Sequence, residues 1–226
     1  MFKAVLHDLG LIEYGNAWQM QKELFHQAIQ EKIEGKHPKH HLLVCEHPHV
    51  YTLGKSANQS NLLLSQAELK QKAIDVFDIE RGGDITYHGP GQLVVYPIFD
   101  IEPMQLGVKK FVYNIEECII RTLREYGIES ERIDDRIGIW IGKGTTNERK
   151  IAAIGIKCSR HITMHGLALN VNTDLGLFNN IIPCGIQDKA VCSMESELNR
   201  KLDMTELKQV LLHQFSSIFE LKLLSI

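Results

Sequence analysis

The most informative stretch of the chain is residues 81–92, which read Arg-Gly-Gly-Asp-Ile-Thr-Tyr-His-Gly-Pro-Gly-Gln. Four of the first eleven positions are glycine, a residue that adopts positive φ angles and lets a ligand approach the backbone closely. A hairpin turn, in which glycine serves geometry alone, would explain one or two of these positions. It explains poorly why Arg81, Tyr87 and His88 stand on the same short connection. We therefore predict that residues 81–91 form a ligand-binding loop.

Apolar runs on both sides of this loop predict strands at residues 74–79 and 92–101. The same patterns predict further strands at 3–7, 42–45, 137–141, 150–158 and 163–171, and helices at 17–33, 111–126 and 205–219. The expected helix N-caps are Asn16 and Thr205. Strands outnumber helices and mostly follow one another directly. We therefore expect an α+β fold, with a mixed, largely antiparallel sheet and helices packed on it.

The composition is that of an ordinary globular protein. Of 226 residues, 44% are apolar and 23% are charged, so the chain can build a core without disulfides or a structural metal. We expect a single domain over residues 1–226, with a small appendage formed by the last forty residues as the alternative. Lys and Arg number 25 against 28 Asp and Glu, a net charge of −3. This balance argues against a strongly basic nucleic-acid binder and against a polybasic membrane-surface protein.

The cysteines and the apolar segments bear on where the protein works. Five cysteines form an odd set with no Cys-x-x-Cys pair, which argues against an extracellular disulfide framework and favours a reducing compartment. No apolar run approaches the roughly 18–20 residues of a membrane span. We therefore expect a cytoplasmic protein that does not bind a membrane.

Several motifs for cofactor and metal binding are incomplete. Residues 54–56 read Gly-Lys-Ser, the end of a phosphate-binding loop, but His49 stands where that loop needs its first glycine. Residues 89–91 lack the third glycine of a dinucleotide-binding fingerprint. The densest set of metal-ligating residue types comprises His37, His40, His41, Cys45, His47 and His49, whose spacing does not match a closed zinc site. We predict no cofactor and no metal.

Two later segments carry small residues on predicted strands. Residues 150–155 read Lys-Ile-Ala-Ala-Ile-Gly, and residues 164–171 read Met-His-Gly-Leu-Ala-Leu-Asn-Val. Small side chains on neighbouring strands leave room for a groove, which suits a long apolar ligand better than a charged one. Lys150 begins the first strand. Its ammonium group lies either at the mouth of that groove or at an ordinary exposed strand edge, and the spacing does not decide between them.

One cysteine stands in an unusual context. Residues 181–186 read Ile-Ile-Pro-Cys-Gly-Ile, so that proline and glycine place Cys184 on a sharp turn where its sulfur is presented instead of buried. Most lone cysteines are inert core residues, and Cys45, Cys118 and Cys158, in apolar periodic segments, fit that description. Cys184 fits it least and is the best nucleophile candidate, although an inert thiol remains the alternative.

Taken together, these segments resemble the lipoyl(octanoyl) transferase family. The match is made by residues 81–92, 150–155, 165–171 and 183–185, with residues 46–54 as a further similar segment. Their order and separations fit the family, and the similarity spans roughly residues 40–190. Four ordered motifs are far more specific than any one of them. At residue 84 this chain has Asp where the family often has Gln.

The resemblance implies a fold like that of the biotin and lipoate protein ligases. It also implies that Cys184 is the acyl-thioester nucleophile and that Lys150 lowers the pKa of its thiol. The resemblance further implies which residues line the acyl-binding site: Arg81, Gly82, Gly83, Asp84, Ile85, Thr86, Tyr87, His88, Ala153, Ile154, Gly155, Gly166, Leu167 and Ala168.

The implied reaction moves an octanoyl group from octanoyl-acyl-carrier protein to a lysine of an apo lipoyl domain. The acceptors implied are the lipoyl domains of 2-oxoacid dehydrogenases and the glycine cleavage H protein, and no ATP is needed because the thioester is already activated. Two alternatives stay open. An ATP-dependent lipoate–protein ligase on the same fold would not need Cys184, and a catalytically silent protein that binds carrier or lipoyl domains would form no covalent adduct.

Overall fold

The computed structural model describes residues 1–182 and 190–225. Its strands, in chain order, are β1 (Phe2–Leu11), β2 (His40–Glu46), β3 (Val50–Leu53), β4 (Asp75–Asp78), β5 (Ile85–His88), β6 (Gln92–Ile98), β7 (Glu131–Ile133), β8 (Arg136–Ile141), β9 (Arg149–Ser159), β10 (Ile162–Asn170), β11 (Ala190–Val191) and β12 (Leu221–Ser225). Its helices are α1 (Tyr14–Ile33), α2 (Gln66–Gln71), α3 (Val108–Glu125), α4 (Met194–Leu198) and α5 (Met204–Ile218). None of these described helices combines the length and the apolar composition needed to cross a lipid bilayer.

The described strands form two sheets. The larger has the order β12-β1-β2-β6-β10-β9-β8-β7, with β11 pairing to β9, and the smaller has the order β4-β3-β5. In the larger sheet β12–β1, β1–β2 and β11–β9 are parallel pairs, whereas the other pairs are antiparallel. The predicted α+β fold with a mixed, largely antiparallel sheet is therefore confirmed.

Helices cover both faces of the larger sheet. Side chains alternate between the faces along each strand, so Leu93 and Val95 of β6 pack on the side of α3 and α5, while Val94 and Tyr96 pack on the side of α1. Every residue of β6 and β10 is consequently buried. These two strands are the centre of the molecule, and the functional site described below is built on their α1 side.

The final residues of the chain belong to the same sheet and core. Helix α5 contributes Leu207, Leu211 and Phe215 to the core on the α3 side. Strand β12 then pairs in parallel with β1, with Leu221 opposite Phe2. The last forty residues, for which the sequence left a small appendage open, thus complete the edge of the main sheet.

The structure corrects three local predictions. Residues 85–88, expected within a loop, form strand β5, because they pair with β3 from a distant part of the chain. Helix α1 begins at Tyr14, so Asn16 lies in its first turn and does not cap it. The N-cap of α5 is Asp203, whose carboxylate accepts hydrogen bonds from the backbone N–H groups of Thr205 and Glu206.

Strand β10 bends at His165 and Gly166. It pairs with β6 only from Leu167 onward, and His165, just before, has a φ of +62°, a left-handed conformation that is rare for residues other than glycine. At the bend the backbone of β6 comes so close that a Cβ on Gly166 would overlap the carbonyl oxygen of Val95. Residue 166 must therefore be glycine for the two central strands to approach each other.

We expect Gly166→Ala to lower the free energy of unfolding by about 1–3 kcal/mol, the usual cost of overpacking a tight site. The matched control is Gly15→Ala in the first turn of α1, where the added Cβ would meet the Phe77 ring at an ordinary 3.4 Å and alanine is the better helix former. Urea unfolding followed by circular dichroism measures both variants. An unchanged midpoint for Gly166→Ala would show that the strands tolerate the side chain.

Candidate active site

A cleft on the α1 side of the sheet is floored by small residues from β9 and β10. The two strands pair so that Ala153 lies opposite Ala168 and Gly155 lies opposite Gly166. These two pairs of small residues, two positions apart on each strand, leave a trough between the sheet and the helix that larger side chains would fill. The trough opens into a cleft with an empty volume of about 390 Å³.

The walls of the cleft come from four other parts of the chain. Tyr14 stands at the start of α1, Tyr96 on β6, and Thr86 and His88 on β5. The remaining wall residue is Arg81, in the glycine-rich loop. Ile154, His165 and Leu167 complete the described lining. The predicted loop and the two predicted small-residue strands therefore meet at one cleft.

The glycine-rich loop is held against both sheets by close backbone contacts. The N–H group of Gly82 donates to the carbonyl oxygen of Ile156 on β9, at 3.2 Å. A Cβ on Gly155 would lie only 2.9 Å from the carbonyl oxygen of Gly82, so this contact requires a glycine in the strand. On the other side the Arg81 guanidinium donates through Nη2 to the carbonyl oxygen of Thr52, at 2.7 Å. Arg81 is thereby fixed at the cleft.

The electrostatics of the cleft are simple. Among the described residues that line it, Arg81 is the one that carries a formal charge at neutral pH. The pKa of His88 and that of His165 are each lowered to about 3, mainly by burial and in smaller part by the nearby Arg81 cation. Burial also raises the pKa of Tyr14. One cation thus faces walls that are otherwise uncharged.

Nine of the fourteen predicted acyl-site residues line the cleft: Arg81, Thr86, His88, Ala153, Ile154, Gly155, Gly166, Leu167 and Ala168. The other five do not. Asp84 accepts hydrogen bonds from Asn61 and the backbone of Ile85, and the Ile85 side chain is buried in the core of the smaller sheet. Tyr87 is buried in the same core, with its hydroxyl hydrogen-bonded to His49 at 2.8 Å. Gly82 and Gly83 shape the loop behind Arg81.

Three lining residues were not among the predicted site residues. Tyr14 precedes the predicted helix at residues 17–33, and nothing in its local sequence marks it. Tyr96 sits in an apolar strand, where a core role is the default. His165 lay inside a quoted segment, and a histidine next to glycine in a buried strand is a signal that could have identified it.

Lys150 is not among the described residues that line the cleft, and its side chain lies against β8. Its Nζ donates to the carbonyl oxygen of Ile137 at 3.3 Å and stands 4.6 Å from the centre of the Trp140 ring. The backbone of Lys150 pairs with Val191 of β11 and accepts a hydrogen bond from the N–H group of Cys192. Lys150 is therefore joined directly to the strand that follows the Cys184 segment.

Cys184 lies outside the described residues. On the near side, the N–H group of Ile182 donates to the carbonyl oxygen of Asn61, next to the smaller sheet. On the far side, Ala190 pairs with Arg149 of β9. In the sequence, Cys184 therefore falls between two described anchors, Ile182 and Ala190.

The four described cysteines are poor nucleophiles. Cys45, Cys118 and Cys192 are buried, and burial raises the pKa of each thiol. Cys158 is half-buried, and burial raises the pKa of its thiol as well. Because the thiolate is the reactive form, none of these four positions favours nucleophilic chemistry.

The histidines that formed the metal-like pattern have separate protein partners. His41 is hydrogen-bonded to His7 at 2.9 Å, and His47 is hydrogen-bonded through Nε2 to the hydroxyl of Tyr96 at 2.8 Å. His40 accepts a hydrogen bond from the backbone of Asp100. Over residues 1–182 and 190–225 no group of three or more His, Cys, Asp or Glu side chains is arranged to hold a metal ion.

Comparison with known proteins identifies the family of this chain. Residues 13–216 match the family model of the lipoyl protein ligase A/B catalytic domain. An octanoyltransferase of Bacteroides thetaiotaomicron is 49% identical over 207 residues, covering 92% of this chain and 91% of the relative. An octanoyltransferase of Flavobacterium johnsoniae is 47% identical over 225 residues, covering 96% of this chain and 97% of the relative.

Solved structures share the fold at low sequence identity. A bipartite lipoate protein ligase of Thermoplasma acidophilum superposes with a TM-score of 0.74 at 16% identity, covering 100% of this chain and 88% of that one. A biotin protein ligase of Aquifex aeolicus gives a TM-score of 0.55 at 13% identity, covering 97% and 71%. The sheet built around β6 and β10 is thus the biotin and lipoate protein ligase fold. With a family match across most of its length and relatives of nearly one-half identity, this chain belongs to the lipoyl protein ligase A/B catalytic domain family and is an acyltransferase.

Proposed function

We propose that the chain, as one catalytic domain over residues 1–226, transfers an octanoyl group from octanoyl-acyl-carrier protein to a lysine of an apo lipoyl domain. Cys184 carries the group as a thioester between the two steps. The observation that carries this proposal is the cleft floored by the Ala153–Ala168 and Gly155–Gly166 pairs and walled in part by Arg81, Thr86 and His88. The octanoyltransferase relatives supply the identity of the acyl group.

The shape and charge of the cleft support an acyl ligand. A linear alkyl chain gains about 0.8 kcal/mol for each methylene removed from water, and it needs a trough without bulky or charged walls. The paired alanines and glycines provide such a trough, and the lining histidines stay neutral. Arg81 supplies a single positive charge at the loop, where the polar thioester end of the ligand would lie.

The proposed reaction has two balanced steps. In the first, the Cys184 thiolate attacks the thioester carbonyl; a new carbon–sulfur bond forms, the carbon–sulfur bond to the carrier breaks, and the carrier leaves as a thiolate that takes a proton from solvent while the Lys150 ammonium releases one to it. In the second, the acceptor lysine attacks as a neutral amine; the amide bond forms, the Cys184 thiolate leaves, and Lys150 takes the amine proton. Because the donor is already a thioester, neither step needs ATP.

The proposal assigns Lys150 a second task. A free cysteine with a pKa near 8.5 is only a few per cent thiolate at pH 7, so a neighbouring cation is needed to populate the reactive form. The backbone of Lys150 pairs with β11, the first described strand after Cys184, and this pairing supports the assignment. Its charge would stabilise the thiolate before acylation, and its neutral amine would accept the proton during transfer.

The proposed partners are two proteins. The donor is octanoyl-acyl-carrier protein, and the acceptors are the lipoyl domains of 2-oxoacid dehydrogenases and the glycine cleavage H protein. An odd number of cysteines without paired spacing fits the reducing cytoplasm, where we place the reaction.

Cys184→Ser is expected to abolish multiple turnover, because a serine alkoxide is far scarcer than a thiolate at neutral pH. Intact-mass measurement after incubation with octanoyl-acyl-carrier protein, without ATP, should show one octanoyl adduct on the wild type and none on the variant. Cys158→Ala, at a half-buried cysteine, is the matched control and should keep the adduct. Activity that appears only when ATP is added would favour the ligase alternative, and a wild type without any adduct would favour the silent binding protein.

The two roles of Lys150 separate in two variants. Lys150→Arg keeps a positive charge but cannot release its proton at neutral pH, so it should still form the octanoyl-Cys184 adduct while losing most transfer to a lipoyl domain. Lys150→Ala should lose both steps. Single-turnover mass spectrometry follows adduct and product separately. Transfer by Lys150→Arg at the wild-type rate would show that Lys150 is an electrostatic neighbour only.

The floor of the cleft should set the preferred chain length. Ala153→Val would fill the trough opposite Ala168, so kcat/KM should fall about tenfold for octanoyl and little for a four-carbon acyl group, since each lost methylene contact costs about 0.8 kcal/mol. Ala67→Val, on the exposed face of α2, is the control and should change neither value. Equal losses for both chain lengths would mean that Ala153 does not contact the distal part of the chain.

A further inference from the structure

A chain of buried hydrogen bonds runs from the cleft to the strand that follows the Cys184 segment. The Nδ1 atom of His88 lies 2.7 Å from Oε1 of Gln92, and Nε2 of Gln92 donates to Oδ1 of Asn170 at 2.9 Å. The Nδ2 atom of Asn170 then donates to the carbonyl oxygen of Cys192 at 3.0 Å. The exposed fractions of the three side chains are only 7%, 1% and 4%, so water does not compete for these bonds.

The direction of every bond in this chain is fixed by two backbone carbonyl groups. A carbonyl oxygen can only accept, so the Asn170 amide must turn its NH₂ group toward Cys192 and its oxygen toward Gln92. Gln92 must in turn present its NH₂ group, which also donates to the carbonyl oxygen of Tyr87 at 3.2 Å. The Gln92 oxygen is then left facing His88, and it accepts.

This direction determines the protonation of His88. Since the Gln92 oxygen accepts, Nδ1 of His88 must carry the hydrogen, and in a neutral imidazole Nε2 is then a bare lone pair. Within the described residues Nε2 has no hydrogen-bond partner, and His88 is a lining residue of the cleft. Tyr14 stacks on the ring at a centroid distance of 5.8 Å and an angle of 13°, which fixes the ring plane.

We propose that Gln92 and Asn170 are positioning residues that hold His88 in the Nδ1–H tautomer, so that its Nε2 accepts a hydrogen bond from the N–H of the attacking amine. The inference rests on the proposed function, which supplies an amine. The acyl thioester has hydrogen-bond acceptors only, so Nε2 of His88, which is also an acceptor, cannot form a hydrogen bond with it. The acceptor lysine brings N–H donors, and one hydrogen bond to Nε2 would aim its lone pair at the thioester carbon.

His88 orients the amine and does not keep its proton. The pKa of His88 is lowered to about 3, mainly by burial and also by the neighbouring His47, Arg81 and His165, while the hydrogen bond to Gln92 opposes them only in part. A group this weakly basic accepts a hydrogen bond at neutral pH but does not become protonated by an ammonium ion. Lys150 remains the proton acceptor of the proposed reaction.

The first test needs no substrate. Nitrogen-15 NMR of histidine-labelled protein at pH 7, with His88 assigned by its loss in His88→Gln, should show a protonated Nδ1 and an unprotonated Nε2 for this ring. A protonated Nε2 would overturn the proposal. This measurement is independent of octanoyl transfer, so it stands even if the wild type forms no adduct with Cys184, a result that would instead refute the proposed function.

The second test separates the two chemical steps. In Asn170→Ala the Gln92 amide loses the shorter of its two NH₂ bonds and is held only by the bond to the Tyr87 carbonyl oxygen, so the spectrum should show mixed tautomers of His88 and a loss of transfer from isolated octanoyl-enzyme of about tenfold, or about 1.4 kcal/mol. Formation of the adduct should change less than twofold. Loss of adduct formation instead of transfer would place the Nε2 contact on the carrier side and overturn the proposal.

Asn172→Ala is the matched control. Asn172 also bonds across to a distant backbone, with both amide atoms on Leu202, but it does not connect to His88. It should leave the His88 tautomer and the transfer step unchanged, and an equal loss in both variants would show that the effect is merely structural. Should Asn170→Ala fail to fold, Gln92→Met keeps the side-chain length, removes the acceptor of Nδ1, and makes the same prediction.

Discussion

The contact between the glycine-rich loop and two strands is the constraint on which the site depends. The loop is tied to the end of β3 through bonds from the N–H groups of Lys55 and Ser56, and to β9 through the bond from Gly82 to Ile156. A side chain on Gly54 or Gly155 would occupy the space that the loop backbone fills. This contact joins the smaller sheet to the larger one and carries Arg81 to the cleft. Without it the floor of small residues would face solvent.

The same contact explains why the cleft suits chemistry on an activated acyl group. The space is bounded by backbone and by neutral rings, and Arg81 is its single described cation. Few polar groups line this space to hold water in it, so an alkyl chain can displace the water that is present. Burial that lowers the pKa of His88 and His165 removes two further charges that an aliphatic ligand would have to desolvate. The proposed thioester donor brings its own activation, so such a site would need only to hold it.

Much of the fold could be predicted because its central strands have local apolar sequence patterns that are typical of strands. The apolar runs at residues 92–101, 150–158 and 163–171 correspond to β6, β9 and β10. Strand β5 could not be found that way, since its four residues follow a glycine-rich segment and its partner β3 lies far away in the sequence. Missing that strand also obscured the site. Along β5 the side chains alternate, so that Thr86 and His88 line the cleft while Ile85 and Tyr87 enter the core.

Other parts of the site depend on tertiary contacts that no local pattern contains. Tyr14, the first residue of α1, reaches the cleft through the packing of that helix on the sheet, and His165 takes a left-handed conformation next to the close approach at Gly166. The two small-residue segments predicted a groove, because small side chains that face each other on neighbouring strands leave space above the sheet. Only the folded sheet provides the register, in which Ala153 pairs with Ala168 and, two residues further along β9, Gly155 pairs with Gly166.

Strands β9 and β10 each contribute residues to the floor of the cleft at one part of their length and contact β11, or the backbone next to it, at another. Strand β9 begins at the β11 pairing, which includes Lys150, and reaches the cleft floor three residues later at Ala153. Strand β10 runs the opposite way, from the bend at Gly166 to Asn170, whose amide bonds to the backbone just after β11. Both strands therefore connect the floor of the cleft to the same far anchor of the Cys184 segment. The position of β11 is therefore linked through both strands to the floor of the cleft, so the proposed binding and the proposed chemistry would share one support.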